Sequence, residues 1–137
     1  MVIMDLPLPP MLMLIVAAAG LGLFQLMLAA FASRLGGQDF RWAIGPRDEP
    51  RPLSPLAARL DRAFRNFQET FPILIALALA LHLSDRGEGV LPLAGAALYI
   101  ASRILFVVLY ALGSRLRSLV WGVSFLALLL MFAGLFN

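Results

Sequence analysis

The sequence predicts an all-α membrane protein, a four-transmembrane-helix bundle with almost nothing left over for a soluble domain. Three observations predict it. Hydrophobic residues make up 61% of the chain and charged residues 14%, whereas soluble domains carry about 25% charged residues. Four apolar runs are each long enough to cross a hydrocarbon core of about 30 Å. The charged residues gather between those runs instead of being spread along them. At 137 residues there is room for one domain, spanning 1–137.

The first span runs from about Met11 to Ser33, introduced by Pro7, Pro9 and Pro10, with Gln25 as its one strongly polar member. Met1 to Asp5 lacks the basic start of a secretory leader, and the apolar run that follows is too long for one, so the first helix is expected to be retained. A loop rich in Gly, Pro, Arg and Asp follows, and its prolines between Gly45 and Pro52 preclude an ordinary helix there. Ser54-Pro55 is a strong helix start, Ser as N-cap and Pro in the first turn. The second helix is expected over 55–83, about 44 Å at 1.5 Å per residue. Its first half is polar and its second half apolar, with Pro72 as a predicted kink. The third and fourth spans are expected over 90–112 and 118–136, joined by the basic turn Gly113 to Arg117.

Composition removes several chemistries. There is no Cys, which excludes disulfides, thiolate metal sites and a cysteine nucleophile, and a lone His82 makes no metal cluster. All 11 basic residues are Arg. They lie beside membrane segments, so the net charge of +3 does not point to nucleic acid. Seven of these Arg fall between Arg34 and Arg65, and Arg115 and Arg117 follow the third span. By the positive-inside rule these loops are cytoplasmic and both termini periplasmic, in a multi-pass protein of a bacterial inner membrane.

Polar residues inside spans are costly and therefore candidates for function. Arg62, Arg65, Asn66 and Glu69 share one face of the second helix. One reading is a self-neutralising Arg65–Glu69 pair; the other is a surplus of donors awaiting an anionic ligand. On the third helix Tyr99, Arg103, Phe106 and Tyr110 form a stripe, with Arg103 too deep to snorkel easily. Its nearest candidate partner is Glu69, either as a plain helix staple or as part of a site. At the basic turn, flanking charge is enough to explain Arg115.

The string Arg62-Ala63-Phe64-Arg65-Asn66-Phe67-Gln68-Glu69-Thr70-Phe71-Pro72 resembles the signature of the membrane-associated proteins in eicosanoid and glutathione metabolism, the MAPEG family. Arg103, Tyr110 and Arg117 stand at spacings similar to its leukotriene synthase branch. Pro46-Arg47-Asp48-Glu49-Pro50 and Pro52-Leu53-Ser54 look like its bacterial members. The resemblance covers nearly the whole chain. It implies a homotrimer that binds glutathione as co-substrate between subunits and takes a lipophilic electrophile from the bilayer. Carried over, Arg62, Arg65, Asn66, Glu69, Arg103 and Tyr110 hold the tripeptide, with Arg34 and Ser118 as further contacts and Arg117 facing the thiol. Phe106 departs from the polar residue of the eukaryotic branches. The resemblance therefore allows two activities, a glutathione-dependent transferase or peroxidase and a non-catalytic member serving a larger membrane assembly. A small four-helix multidrug exporter is disfavoured, because the first span carries no acid.

Overall fold

The computed structural model describes residues 7–137 and is all-helical over them. The reading of Met1 to Asp5 lies outside the described residues. Five helices follow in order: α1 (Pro10–Leu35), α2 (Phe40–Ile44), α3 (Pro55–Leu83), α4 (Val90–Ala111) and α5 (Arg117–Ala133). Three of them, α1, α3 and α4, are long and apolar enough to cross a membrane. The apolar α5 has 17 residues, about 25 Å of helix, at the short end of what spans a bilayer. Its last turn stops at Ala133, three residues before the expected end.

Local chemistry sets the ends. Ser54 Oγ accepts the Ala57 amide at 3.3 Å, and Pro55 opens the helix behind it. At the far end of α4, Gly113 adopts φ 72°, and Ser114 N–H donates to the Leu109 carbonyl while Gly113 N–H donates to that of Tyr110. This is a Schellman stop, in which a glycine accepts the left-handed conformation without Cβ strain. It reverses the chain within five residues into α5. The short α2 was not anticipated from the sequence. Asp39 caps it through the Trp42 amide at 2.8 Å, and the Trp42 indole donates to the Glu49 carbonyl. The Trp42 amide, followed by Arg51, holds the Asp39 carboxyl below its ordinary range, against the opposing effect of burial.

α5 packs chiefly on α4, and α1, α3 and α4 each contact the other two. The shared core holds Met11, Ala18, Phe67, Leu74, Tyr99 and Met131 among others. Small residues set the closest approaches. A Cβ on Gly95 would stand 2.7 Å from the Ala127 carbonyl oxygen of α5, and one on Gly22 2.9 Å from the Phe67 ring. Large apolar side chains such as Leu23, Met27 and Phe31 point outward, an arrangement that hydrocarbon, unlike water, solvates without cost.

The α4–α5 contact gives a direct test. Gly95→Ala pushes a methyl into backbone that cannot yield, and overpacking of this kind costs about 1–3 kcal/mol. It should lower the midpoint of thermal unfolding in detergent. Gly122→Ala, where a Cβ meets open space, should leave the midpoint unchanged or raise it. Equal midpoints for the two variants would show that the α4–α5 approach is not tight.

Candidate functional site

The stripe on α4 becomes a ladder of alternating cations and rings. The Arg103 guanidinium lies 5.3 Å from the centroids of both Tyr99 and Phe106. Phe106 meets Tyr110 edge-on at 5.3 Å. Tyr110 in turn faces two further arginines, Arg117 at 4.9 Å and Arg62 at 6.0 Å. Helical spacing places the α4 members on one face, the fold brings Arg62 from α3, and the Gly113 reversal returns Arg117 to the same end. Ring faces attract cations by roughly 0.5–2 kcal/mol each, so the aromatics hold the arginines apart without neutralising them.

Arg103 is 1% exposed. Its Nη1 donates to Asn66 Oδ1 at 2.6 Å, and the Asn66 amide donates onward to Glu69 Oε2 at 3.1 Å. Glu69 therefore does not pair directly with Arg103; Asn66 stands between them, because it projects toward the gap that α3 and α4 share. The Nε and Nη2 groups of Arg103 have no hydrogen-bond partner. The self-neutralising Arg65–Glu69 pair, one of the two readings of this helix face, is also not formed. Arg65 instead bonds Asp61 at 2.9 Å, one turn earlier. An acid on the N-terminal side of the base is the better order in a helix. Glu69 is thereby left free of a guanidinium partner among the described residues.

Asn66, Phe106, Arg117, Ser118 and Trp121 line a cavity of about 240 Å³. Arg103 and Tyr110 lie behind this lining, against Phe106 and Arg117, and Arg62 lies against Tyr110. Arg117 Nη1 is tied back to the Ser114 carbonyl at 2.9 Å, which fixes it at the start of α5 with donors to spare. Beside this cavity, Glu69, Thr70, Ile73, Trp121, Phe125 and Phe132 flank an apolar groove of about 370 Å³. Trp121 is a wall of both. Thr70 Oγ1 lies 2.8 Å from the Tyr99 hydroxyl, joining α3 to α4 at the inner end of the ladder.

The structure thus brings together Arg62, Asn66, Arg103, Tyr110, Arg117 and Ser118, with Glu69 at the edge. Two expected members stand apart from this group. Arg34 Nη1 donates to the Gln38 carbonyl at the start of the first loop, and Arg65 is engaged with Asp61. Trp121 was missed from the sequence, although it lies one turn after Arg117; Thr70 was missed although it is adjacent to Glu69. No group of three or more His, Cys, Asp or Glu among the described residues is placed to hold a metal ion.

An all-helical membrane protein with a polar, arginine-rich chamber at one end of its bundle is the class that fold and site define. A sequence model of the MAPEG family matches residues 11–137, nearly the whole chain. The chain belongs to that family. No curated protein matches it.

Removing the amide of Asn66 leaves Arg103 without its one hydrogen-bonded partner, and bonds to charged groups are worth about 1.5–3 kcal/mol. Asn66→Leu should therefore destabilise the bundle in detergent, and Asn66→Asp, which keeps an acceptor, should recover most of the loss. Unchanged thermal unfolding of Asn66→Leu would mean that the rings alone hold Arg103.

Proposed function

We propose that this protein is a glutathione-dependent transferase or peroxidase that acts on lipophilic electrophiles within the membrane. The observation that carries the reading is the buried guanidinium of Arg103, with unused donors, directly behind Asn66 and Phe106, which line the cavity together with Arg117 and Ser118. Glutathione has two carboxylates, an ammonium and two amides. Arginines suit the carboxylates, Asn66 suits an amide, and Glu69, free of an arginine, suits the ammonium. Arg62 and Tyr110 complete the rim.

Arg117 is the proposed catalytic residue. A free thiol has a pKa of about 8.5, and a neighbouring cation lowers it. The guanidinium stays protonated throughout, so it stabilises the thiolate electrostatically and the thiol proton leaves to water. The thiolate then attacks the electrophilic carbon, forming a C–S bond, and the electron pair leaves with the displaced group or settles on the adduct. The apolar groove beyond Trp121 is a path by which a substrate dissolved in lipid reaches the sulfur.

In this reading the protein is a homotrimer. Arg62, Arg65, Gln68 and Glu69 are exposed on one protomer, yet Glu69 lies about 21 Å along α3 from its start. A polar face that borders the continuously apolar half of the same helix calls for protein cover. A neighbouring copy would supply it, together with Arg34 and Arg65 as contacts across the interface. The arginine-rich end lies in the cytoplasm of a bacterial cell, where glutathione is found, and both termini face the periplasm. A second reading, a non-catalytic member of the family, is favoured by one observation. Phe106 spends its ring on Arg103 and Tyr110 and offers no hydrogen bond to a ligand.

Two measurements test the proposal. Calorimetry with millimolar glutathione should give heat of binding, and silence there would favour the non-catalytic reading. Arg117→Ala should lower conjugation of a hydrophobic aryl halide by about 10²–10³-fold, the usual loss on removing one electrostatic stabiliser, with glutathione affinity nearly kept. Its thiolate absorbance in the ultraviolet should move to higher pH. Turnover at the wild-type rate in Arg117→Ala would place the activating charge elsewhere.

A further inference from the structure

We propose that a second face of α4 carries a binding site for an anionic glycerophospholipid, with one acyl chain in an apolar groove and the phosphate on Arg59. The inference needs only that the chain is a membrane protein and is independent of glutathione. A groove of about 390 Å³ runs between Leu21, Phe24 and Leu28 of α1 and Ile104 and Val108 of α4, with Leu60 of α3 between them. No polar side chain lines it. Its α4 wall extends from Ile104 to Leu112, about 12 Å of helix. That is most of one leaflet, about half of a 30 Å hydrocarbon core. Phe24, Ile104, Val108 and Leu112 are all exposed, so the groove opens to lipid and not into the bundle.

The end of the groove near the basic turn has a cation. Arg59 precedes Leu60 in sequence, and its Nη1 donates to the Ala111 carbonyl at 3.2 Å. Ala111 and Leu112 are the last residues of the groove wall. The rest of the guanidinium lies over Gly113, within 3.1–3.2 Å of where a Cβ would stand. The ion pairs among the described residues are Arg51–Asp39 and Arg65–Asp61, so no carboxylate engages Arg59. A guanidinium has five donors, and a single one is used here. A soluble anion would answer the charge but leave the groove empty, whereas an apolar helix face would fill the groove without answering the charge. A phospholipid answers both, and basic pockets between helices at the headgroup level are where anionic lipids bind.

Native mass spectrometry of the purified protein in detergent, with phosphatidylglycerol or phosphatidylcholine added, tests the site. Wild-type protein should retain phosphatidylglycerol over phosphatidylcholine by about five-fold, the worth of roughly one arginine at a headgroup. Arg59→Gln should bring the two lipids level, and Arg59→Lys should keep most of the preference. Val108→Trp, which fills the groove, should reduce retention of both. Equal retention by wild type, or an unchanged preference in Arg59→Gln, would overturn the proposal. So would displacement of the lipid by millimolar inorganic phosphate, which would reveal a simple anion site. A change of oligomeric state in Val108→Trp with lipid retention intact would assign the groove to a second copy and equally overturn it.

Discussion

Arg103 is the constraint on which the arginine-rich half of the bundle depends. A guanidinium in the hydrocarbon zone cannot shed its charge, and it is too far from the helix ends to reach water. Two ring faces and one amide oxygen receive it, and these come from α3 and α4 together. The two helices are therefore fixed in both rotation and depth. A one-residue slip of either would turn Asn66 or Arg103 by about 100° and bury an uncompensated cation. Asn66 suits the task because an amide both accepts from Arg103 and donates to Glu69, which links a buried cation to an exposed anion without a direct salt bridge. Replacing that relay by a close Arg–Glu pair would quench the charge on which the proposed anion binding rests.

Phe106 makes sense in the same frame. A polar side chain there would offer a ligand one more hydrogen bond. A ring instead extends the stack from Tyr99 toward Tyr110, and three arginines end up around aromatic faces. Cation–π contacts attract without consuming donors. The chamber keeps its positive potential and its hydrogen-bonding capacity, and loses one directional contact. Both the catalytic proposal and its non-catalytic rival turn on which of these matters more.

Much of this was legible in the sequence because it follows from spacing along single helices. The apolar runs, the Ser54-Pro55 start and the stripe Tyr99, Arg103, Phe106, Tyr110 are local patterns, and the 3.6-residue period converts them to faces. What was not legible depends on how one helix is turned toward another. Glu69 was the natural partner for Arg103 by charge, yet the angle between α3 and α4 presents Asn66. Arg65 had two acids within one turn, and only the direction of the pair along the helix favours Asp61 over Glu69. The Trp42 loop escaped for another reason. Its order comes from a cap and from an indole bonded to a carbonyl seven residues away, neither of which has a periodic signature.

α4 has two jobs in this account, and its fixed rotation is what allows both. Phe106 lines the chamber with Arg103 and Tyr110 stacked against it, while Ile104 and Val108 line the groove beside α1. On a helix these sets are separated by roughly a third of a turn, so neither can be adjusted without disturbing the other. The helix is pinned near both ends: by the backbone approach of Gly95 to Ala127, and by Gly113 under the Arg59 guanidinium. Arg59 therefore sits at the stop that also aims Arg117 into the chamber. A phosphate drawn to Arg59 would take the donors that the Ala111 carbonyl leaves unused, beside that turn. The proposed lipid site and the proposed catalytic arginine therefore share one short reversal of the chain, Arg59 bonding the Ala111 carbonyl and Arg117 that of Ser114.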